Sequence, residues 1–172
     1  LEAAWDTDHK KLKSLIHWIE EWEKDGVTKI DGIGSQMHVS CCMDPVEQKR
    51  REDAYVNMLN LMVRSGKLVR ISELDMGLED KNGNLVNTTD MTEEQHKAMR
   101  AYYEFIVKKY LEIVPENQQW GICQWCATDS PANSGWRAGL PVGLWDLDYY
   151  RKHTYGGFAA GLGAPEYWND AK

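Results

Sequence analysis

No apolar run in this chain approaches the roughly 20 residues that a membrane-spanning helix needs, so no membrane span is expected. Positive charge is in short supply: 20 Lys and Arg stand against 27 Asp and Glu, a formal net charge of −7. That balance argues against nucleic acid or an anionic membrane surface as the main partner. Internal repeats and low-complexity segments are missing as well. No leader peptide is recognisable, but a chain whose first residue is Leu1 reads as cut or processed, so the missing leader carries no weight. Cysteines number four and fall in two close pairs, Cys41-Cys42 and Cys123-x-x-Cys126. The second spacing has the form of a redox or zinc motif. It lies in an apparent strand, however, where positions three apart face opposite ways. The cysteines are therefore expected to be buried, free and acting as small hydrophobes. Phenylalanine is nearly absent, at two residues, while tryptophan reaches eight. Indole is a large flat apolar platform with one N–H donor. Sugar rings stack on such faces, although core packing accounts for part of the set.

What is present is enough for one domain with a real core: 172 residues, 42% hydrophobic and 27% charged. Leu12, Leu15, Ile16, Ile19 and Trp22 recur at helical spacing and predict a helix from about Asp8 to Glu23, with Gly26 beyond its end. A strand is expected within Lys29 to Val39. Asp44-Pro45-Val46-Glu47 is a helix start, with an N-cap, a proline at the first position and a capping-box pattern. The helix it opens buries Ala54, Met58, Leu59 and Met62 and stops at Ser65-Gly66. Leu68 to Asp75 reads as a strand. Lys81-Asn82-Gly83-Asn84 marks a turn. Thr92-Glu93-Glu94-Gln95 opens a third helix whose expected core side is Ala98, Tyr102, Phe105, Ile106 and the stem of Lys109, ended by Pro115. Trp120 to Cys126 is the next strand. A Gly-, Pro- and Asn-rich loop, Ser130 to Gly143, follows, long enough to suggest a functional role. A short helix over Lys152 to Ala160 comes last.

Strands alternating with helices imply a parallel sheet with right-handed crossovers. Three strands alone leave both edges open, and the first element is a helix with no strand before it. The expected fold class is α/β: the C-terminal part, about strands 6–8 with flanking helices, of a (β/α)8 TIM barrel of roughly 250 residues or more. Residues 1–172 then form one incomplete barrel domain whose other strands come from elsewhere.

Carboxyl ends of barrel strands converge on one site. The three strand ends offer Gln36 and His38, then Glu73 and Asp75, then Trp125 and Asp129. Glu73 and Asp75 share a face, as do Gln36 and His38. Two like charges on one face destabilise each other unless something uses or neutralises them, and a histidine between them could keep a carboxylate ionised and oriented. His38, Glu73 and Asp75 could also be metal ligands, but no H-E-x-x-H or comparable ligand motif accompanies them, and no metal or cofactor is assigned.

Asp31-Gly32-Ile33-Gly34-Ser35-Gln36-Met37-His38, then Ile71-Ser72-Glu73-Leu74-Asp75, then Trp125-Cys126-Ala127-Thr128-Asp129 with Ser134-Gly135-Trp136-Arg137 and Gly143-Leu144-Trp145-Asp146 run in that order along the chain. Together they resemble the last three strand motifs of family 10 glycoside hydrolases, the endo-β-1,4-xylanases. The resemblance implies a retaining glycosidase that needs no cofactor and acts on xylan or xylo-oligosaccharides, and it implies a secreted, cell-surface or periplasmic location. It places Glu73 at the catalytic nucleophile and His38 and Asp75 around it. It places Gln36, Trp125, Trp136 and Arg137 on the substrate-binding side. The family's acid/base glutamate sits in an Asn-Glu motif on the fourth strand, and this sequence has no Asn-Glu pair. The resemblance therefore implies a partner, the N-terminal half of the same barrel. Another retaining β-1,4-glycanase, acting on cellulose or mixed-linkage glucan, and a non-catalytic carbohydrate-binding barrel are the alternatives.

Overall fold

A computed structural model describes residues 7–165. Helix α1 (Lys10–Glu23) is followed by two short strands, β1 (Gly32–Ser35) and β2 (His38–Cys42), helix α2 (Pro45–Arg64) and the long strand β3 (Leu68–Glu79). Then come α3 (Glu93–Ile113), β4 (Gln119–Gln124) and α4 (His153–Gly161). Both helix starts that the sequence marks are made. Asp44 accepts from the Val46 and Glu47 amides with Pro45 in the first turn. Thr92 and Gln95 exchange a full capping box.

All strand pairings are parallel. β3 is central, with β1 and β2 along one side and β4 along the other. β1 and β2 are successive pieces of one strand line, broken at Gln36-Met37, because each pairs with a different stretch of β3. Strands on a parallel sheet with helical crossovers are the barrel's building pattern.

β3 carries one extra residue at its middle. Ser35 pairs with Ile71 and His38 with Asp75, so Ser72, Glu73 and Leu74 face only Gln36 and Met37. On the other side Ile71 pairs with Ile122 and Leu74 with Gln124, so Ser72 and Glu73 face Cys123 alone. This is a β-bulge against both neighbours. Its effect is visible in burial: Val69 and Ile71, then Leu74, Met76 and Leu78, are all 0% exposed and packed under the helices. Strict alternation would continue from Ile71 to Glu73 and drive that carboxylate into the core. The extra residue inverts the phase, so Glu73, Asp75 and Gly77 line the inner face, away from α2 and α3.

Tyr110 ties β3 to β4 where their pairing shifts register. Its hydroxyl donates to the Val69 carbonyl at 2.7 Å and accepts from the Gly121 amide at 2.9 Å.

Several expectations are corrected. The first strand ends at Cys42 rather than Val39, β3 runs on to Glu79, and β4 stops at Gln124, short of Cys126. The buried side of α3 is Met99, Tyr102, Tyr103, Ile106, Val107 and Tyr110, turned from the expected stripe. The cause is α4. A Cβ on Gly157 would stand 2.2 Å from the Arg100 carbonyl oxygen and one on Gly161 2.5 Å from Val107 Cβ, so these glycines let α4 lie directly on α3 and cover Tyr103 and Val107. Trp22, expected in the core, is exposed beside Trp18, with ring centroids 6.4 Å apart. Cys41 and Cys42 are buried as expected, but Cys123 and Cys126 are exposed: Cys123 lies out of phase with the core-packed Ile122, and Cys126 sits in a turn at φ 54°. None of the described helices is long and apolar enough to cross a membrane.

Candidate active site

The inner face around the break between β1 and β2 and the middle of β3 gathers the polar residues of the sequence motifs. Glu73, aimed inward by the bulge, has each oxygen held separately. Gln36 Nε2 donates to Oε1 at 2.8 Å, and His38 Nε2 lies 3.1 Å from Oε2. The other ring nitrogen, Nδ1, lies 3.0 Å from Asp75 Oδ2. A neutral imidazole can donate to one of these carboxylates; an imidazolium donates to both. Glu73 keeps 24% of its side chain exposed while Asp75 is fully buried. One carboxylate is thus open to a ligand and the other is an internal support.

A buried carboxylate is tolerated only when its oxygens are met by donors, and Asp75 meets two fixed donors beside the His38 ring. Besides His38, Trp136 Nε1 donates to Oδ2 at 2.9 Å and Arg137 Nη1 donates to Oδ1. Arg137, expected on the substrate-binding side, points inward. Nη1 also reaches the Val39 carbonyl at 3.0 Å and Nη2 the Ser40 hydroxyl at 3.1 Å. The two carboxylates thus face one permanent cation and one ring able to become a cation.

Two indoles stand at the rim. Trp136 lies 4.6 Å from the His38 ring and Trp125 6.3 Å, both edge-on, and each keeps 41% exposure. The Trp125 amide donates to the Leu74 carbonyl at 2.8 Å, which fixes the chain as it leaves β4. Both rings keep exposed apolar surface beside His38, a flat platform on which a ring-shaped ligand can stack.

Asp129, the remaining strand-end candidate, is not brought to this cluster. It is buried with Lys152, whose amine donates to it and to the Pro141 and Gly143 carbonyls at 3.0 and 3.2 Å. Asp129 also accepts from the Thr88 hydroxyl and, at 3.0 Å, from the Gly143 amide. Burial pushes the Lys152 amine below its ordinary pKa, against the pull of Asp129. The pair anchors both ends of the Ser130–Gly143 loop that delivers Trp136 and Arg137. Nothing local in the sequence marks the pairing of Lys152 with Asp129. Gly77 lies beyond the strand expected over Leu68 to Asp75, and only the longer β3 makes it a glycine within a strand, the signal of close approach by another group.

Among the described residues no three His, Cys, Asp or Glu side chains are grouped to hold a metal ion. His38 lies between the two carboxylates, each nitrogen turned to one of them, rather than converging with them on a common point. Burial raises the Cys41 thiol to about 12 and also raises Cys126, which disfavours the thiolate a ligand or nucleophile needs. An apolar cleft of about 240 Å³, lined by Leu12, Leu15, Ile33, Met58 and Met62, opens under α1 and α2, where the core-packed Ile33 of β1 points.

A parallel sheet with helical crossovers that turns two carboxylates, an imidazole and two indoles to its inner face fits part of a (β/α)8 barrel with its polar groups gathered inside. Residues 3–160 match the model of glycosyl hydrolase family 10, and the chain belongs to that family. It is 30% identical over 174 residues to an endo-β-1,4-xylanase (10C) of Cellvibrio japonicus, a match covering 91% of this chain and 27% of that protein. The solved native xylanase 10C of that organism superposes with a TM-score of 0.69 at 26% identity, over 90% of this chain and 33% of that one. A variant of it has been solved in complex with xylopentaose, again at TM-score 0.69 and 26% identity, over 90% of this chain and 32% of that one. The chain thus spans about a third or less of these relatives. Its fold is α/β, part of a (β/α)8 barrel.

Proposed function

We propose that this chain carries the nucleophile side of a retaining endo-β-1,4-xylanase. The observation that supports it most is Glu73: a partly open carboxylate with each oxygen held by a different donor, Gln36 and His38. In a double displacement, one carboxylate attacks the anomeric carbon and forms a glycosyl-enzyme, while a second carboxyl about 5–5.5 Å away protonates the leaving oxygen and then activates water. Glu73 is the attacking group. His38, set by Asp75, keeps it aimed. Gln36 lies against the nucleophile, where the sugar at the cleavage point would sit, and Trp125 and Trp136 wall the xylose unit and exclude water. The second carboxyl comes from the part of the barrel outside these 172 residues, the N-terminal half, so that half is a partner in activity. Xylan or xylo-oligosaccharides are the substrates, reached outside the cytoplasm.

The test is Glu73→Ala in the complete barrel. Turnover of xylo-oligosaccharide falls by several orders of magnitude with the fold kept. Added azide restores part of it and gives a glycosyl azide of inverted anomeric configuration, the product of one displacement instead of two. Near-normal turnover without azide would refute the assignment. Comparing reducing-sugar release from xylan and from carboxymethylcellulose decides between a xylanase and another β-1,4-glycanase.

A further inference from the structure

On the inner face of β3 the position after Glu73 and Asp75 is Gly77, and it is buried. Its φ is not positive, so the backbone does not require glycine there. Its missing side chain leaves room for something else. A Cβ at Gly77 would lie 2.4 Å from Arg137 Nη2 and 3.3 Å from Arg137 Cζ. Arg137 fills that slot from the Ser130–Gly143 loop, with its backbone held at φ 44°, a left-handed conformation that non-glycine residues seldom adopt. In the slot its guanidinium bonds Asp75, Val39 and Ser40 at once. The neighbouring Trp136 bonds the same carboxylate. Asp75 therefore joins the loop that carries a rim indole to the histidine that holds Glu73.

We infer that Gly77 and Arg137 form a latch: the empty position at 77 admits the guanidinium, which locks the loop onto Asp75 and so sets His38 against Glu73. Both are positioning residues and neither touches substrate. The latch rests on Glu73 being the nucleophile. An added methyl at 77 meets the far end of a flexible side chain, so it evicts the guanidinium without breaking the sheet. Asp75 is then left with Trp136 and the His38 ring, and His38 is free to follow it.

The experiment is a double-mutant cycle in the complete barrel: Gly77→Ala, Arg137→Ala and the two together, assayed on a xylo-oligosaccharide. Each single variant is expected to lose roughly 10–100-fold in kcat, the scale of a misplacement near 1 Å. KM should move less than kcat, because Trp136 keeps its own bond to Asp75 while Glu73 loses its support. The double variant should be no worse than Arg137→Ala, since Gly77→Ala has nothing left to displace. Added guanidinium ion should restore part of the turnover of Arg137→Ala and none of that of the double variant, whose slot is filled. Wild-type kcat in either single variant overturns the latch. So does a Gly77→Ala cost that stays the same once Arg137 is gone, which is what a purely structural glycine would give. If Gly77→Ala fails to fold, Arg137→Ala and its rescue carry the test alone. Glu73→Ala, run alongside, keeps the two ideas apart. Activity there sinks the nucleophile reading, whereas an inactive Glu73→Ala with fully active latch variants sinks only the latch.

Discussion

Replacing Lys152 by methionine tests how the substrate-side loop is held. Lys152 and Asp129 are 4% and 0% exposed, and the amine serves three acceptors: Asp129 and the carbonyls of Pro141 and Gly143. Methionine keeps most of the volume and removes the charge and every donor. Asp129 stays in place with the Thr88 hydroxyl and the Gly143 amide but without its counter-charge. Removing one partner of a buried pair costs about 3–5 kcal/mol, mostly because the other charge is stranded. For a complete barrel of about 250 residues that is a fall in Tm on the order of 5–10 °C. The loop should loosen first, so kcat at a permissive temperature should fall before the fold does. The assay is thermal unfolding of the complete barrel, followed by circular dichroism, with the cycle Lys152→Met, Asp129→Leu and both. The double variant should recover part of the loss, since no charge is then stranded. A Lys152→Met variant within about 1 kcal/mol of wild type would refute the reasoning. So would a double variant whose loss equals the sum of the singles, because that would mean the two groups are not coupled.

Tyr110→Phe removes the hydroxyl that bridges Val69 and Gly121, leaving a buried carbonyl and an amide unpaired; it should cost about 1–3 kcal/mol by denaturant titration. Hydrogen exchange at the Gly121 amide should rise with it. Glu47 gives a pH dependence. Its carboxyl is lowered to about 2, first by its hydrogen bond to Arg50 and further by Arg51. A depressed acid stabilises the fold above its unfolded value and loses that contribution as pH falls from 4.5 to about 2. Glu47 is 32% exposed, so solvent screening keeps the effect small. Glu47→Gln should lower stability at pH 7 and match wild type near pH 2; equal stability at pH 7 would contradict it.

Much of the architecture was legible because it is written in local chemistry. Asp44-Pro45 and Thr92-x-x-Gln95 satisfy helix N–H groups by themselves, so the starts of α2 and α3 needed no tertiary information. The pairing of Gln36 with His38 and of Glu73 with Asp75 followed from strand periodicity. Other features depended on partners far along the chain. The buried stripe of α3 is set by α4 through Gly157 and Gly161, and a helical wheel of α3 alone cannot see that. The sequence pattern places Asp129 at a strand end like the site residues, but β4 stops at Gln124, and the diversion of Asp129 to Lys152 is a contact between segments 23 positions apart. The bulge was available and unread: Val69, Ile71, Leu74, Met76 and Leu78 carry a three-residue step where alternation allows two.

That step also sets two demands against each other. A chain chosen for strand pairing alone would drop one residue at Ser72. Its apolar positions would then alternate without interruption and both ladders would close. The same deletion would keep Asp75 opposite His38 and set Glu73 in regular pairing with Gln36 and Cys123, removing the local bend that now turns its carboxylate. The irregular strand therefore gives up pairing at Ser72 and Glu73 for a local bend, and that bend is where the candidate carboxylate stands.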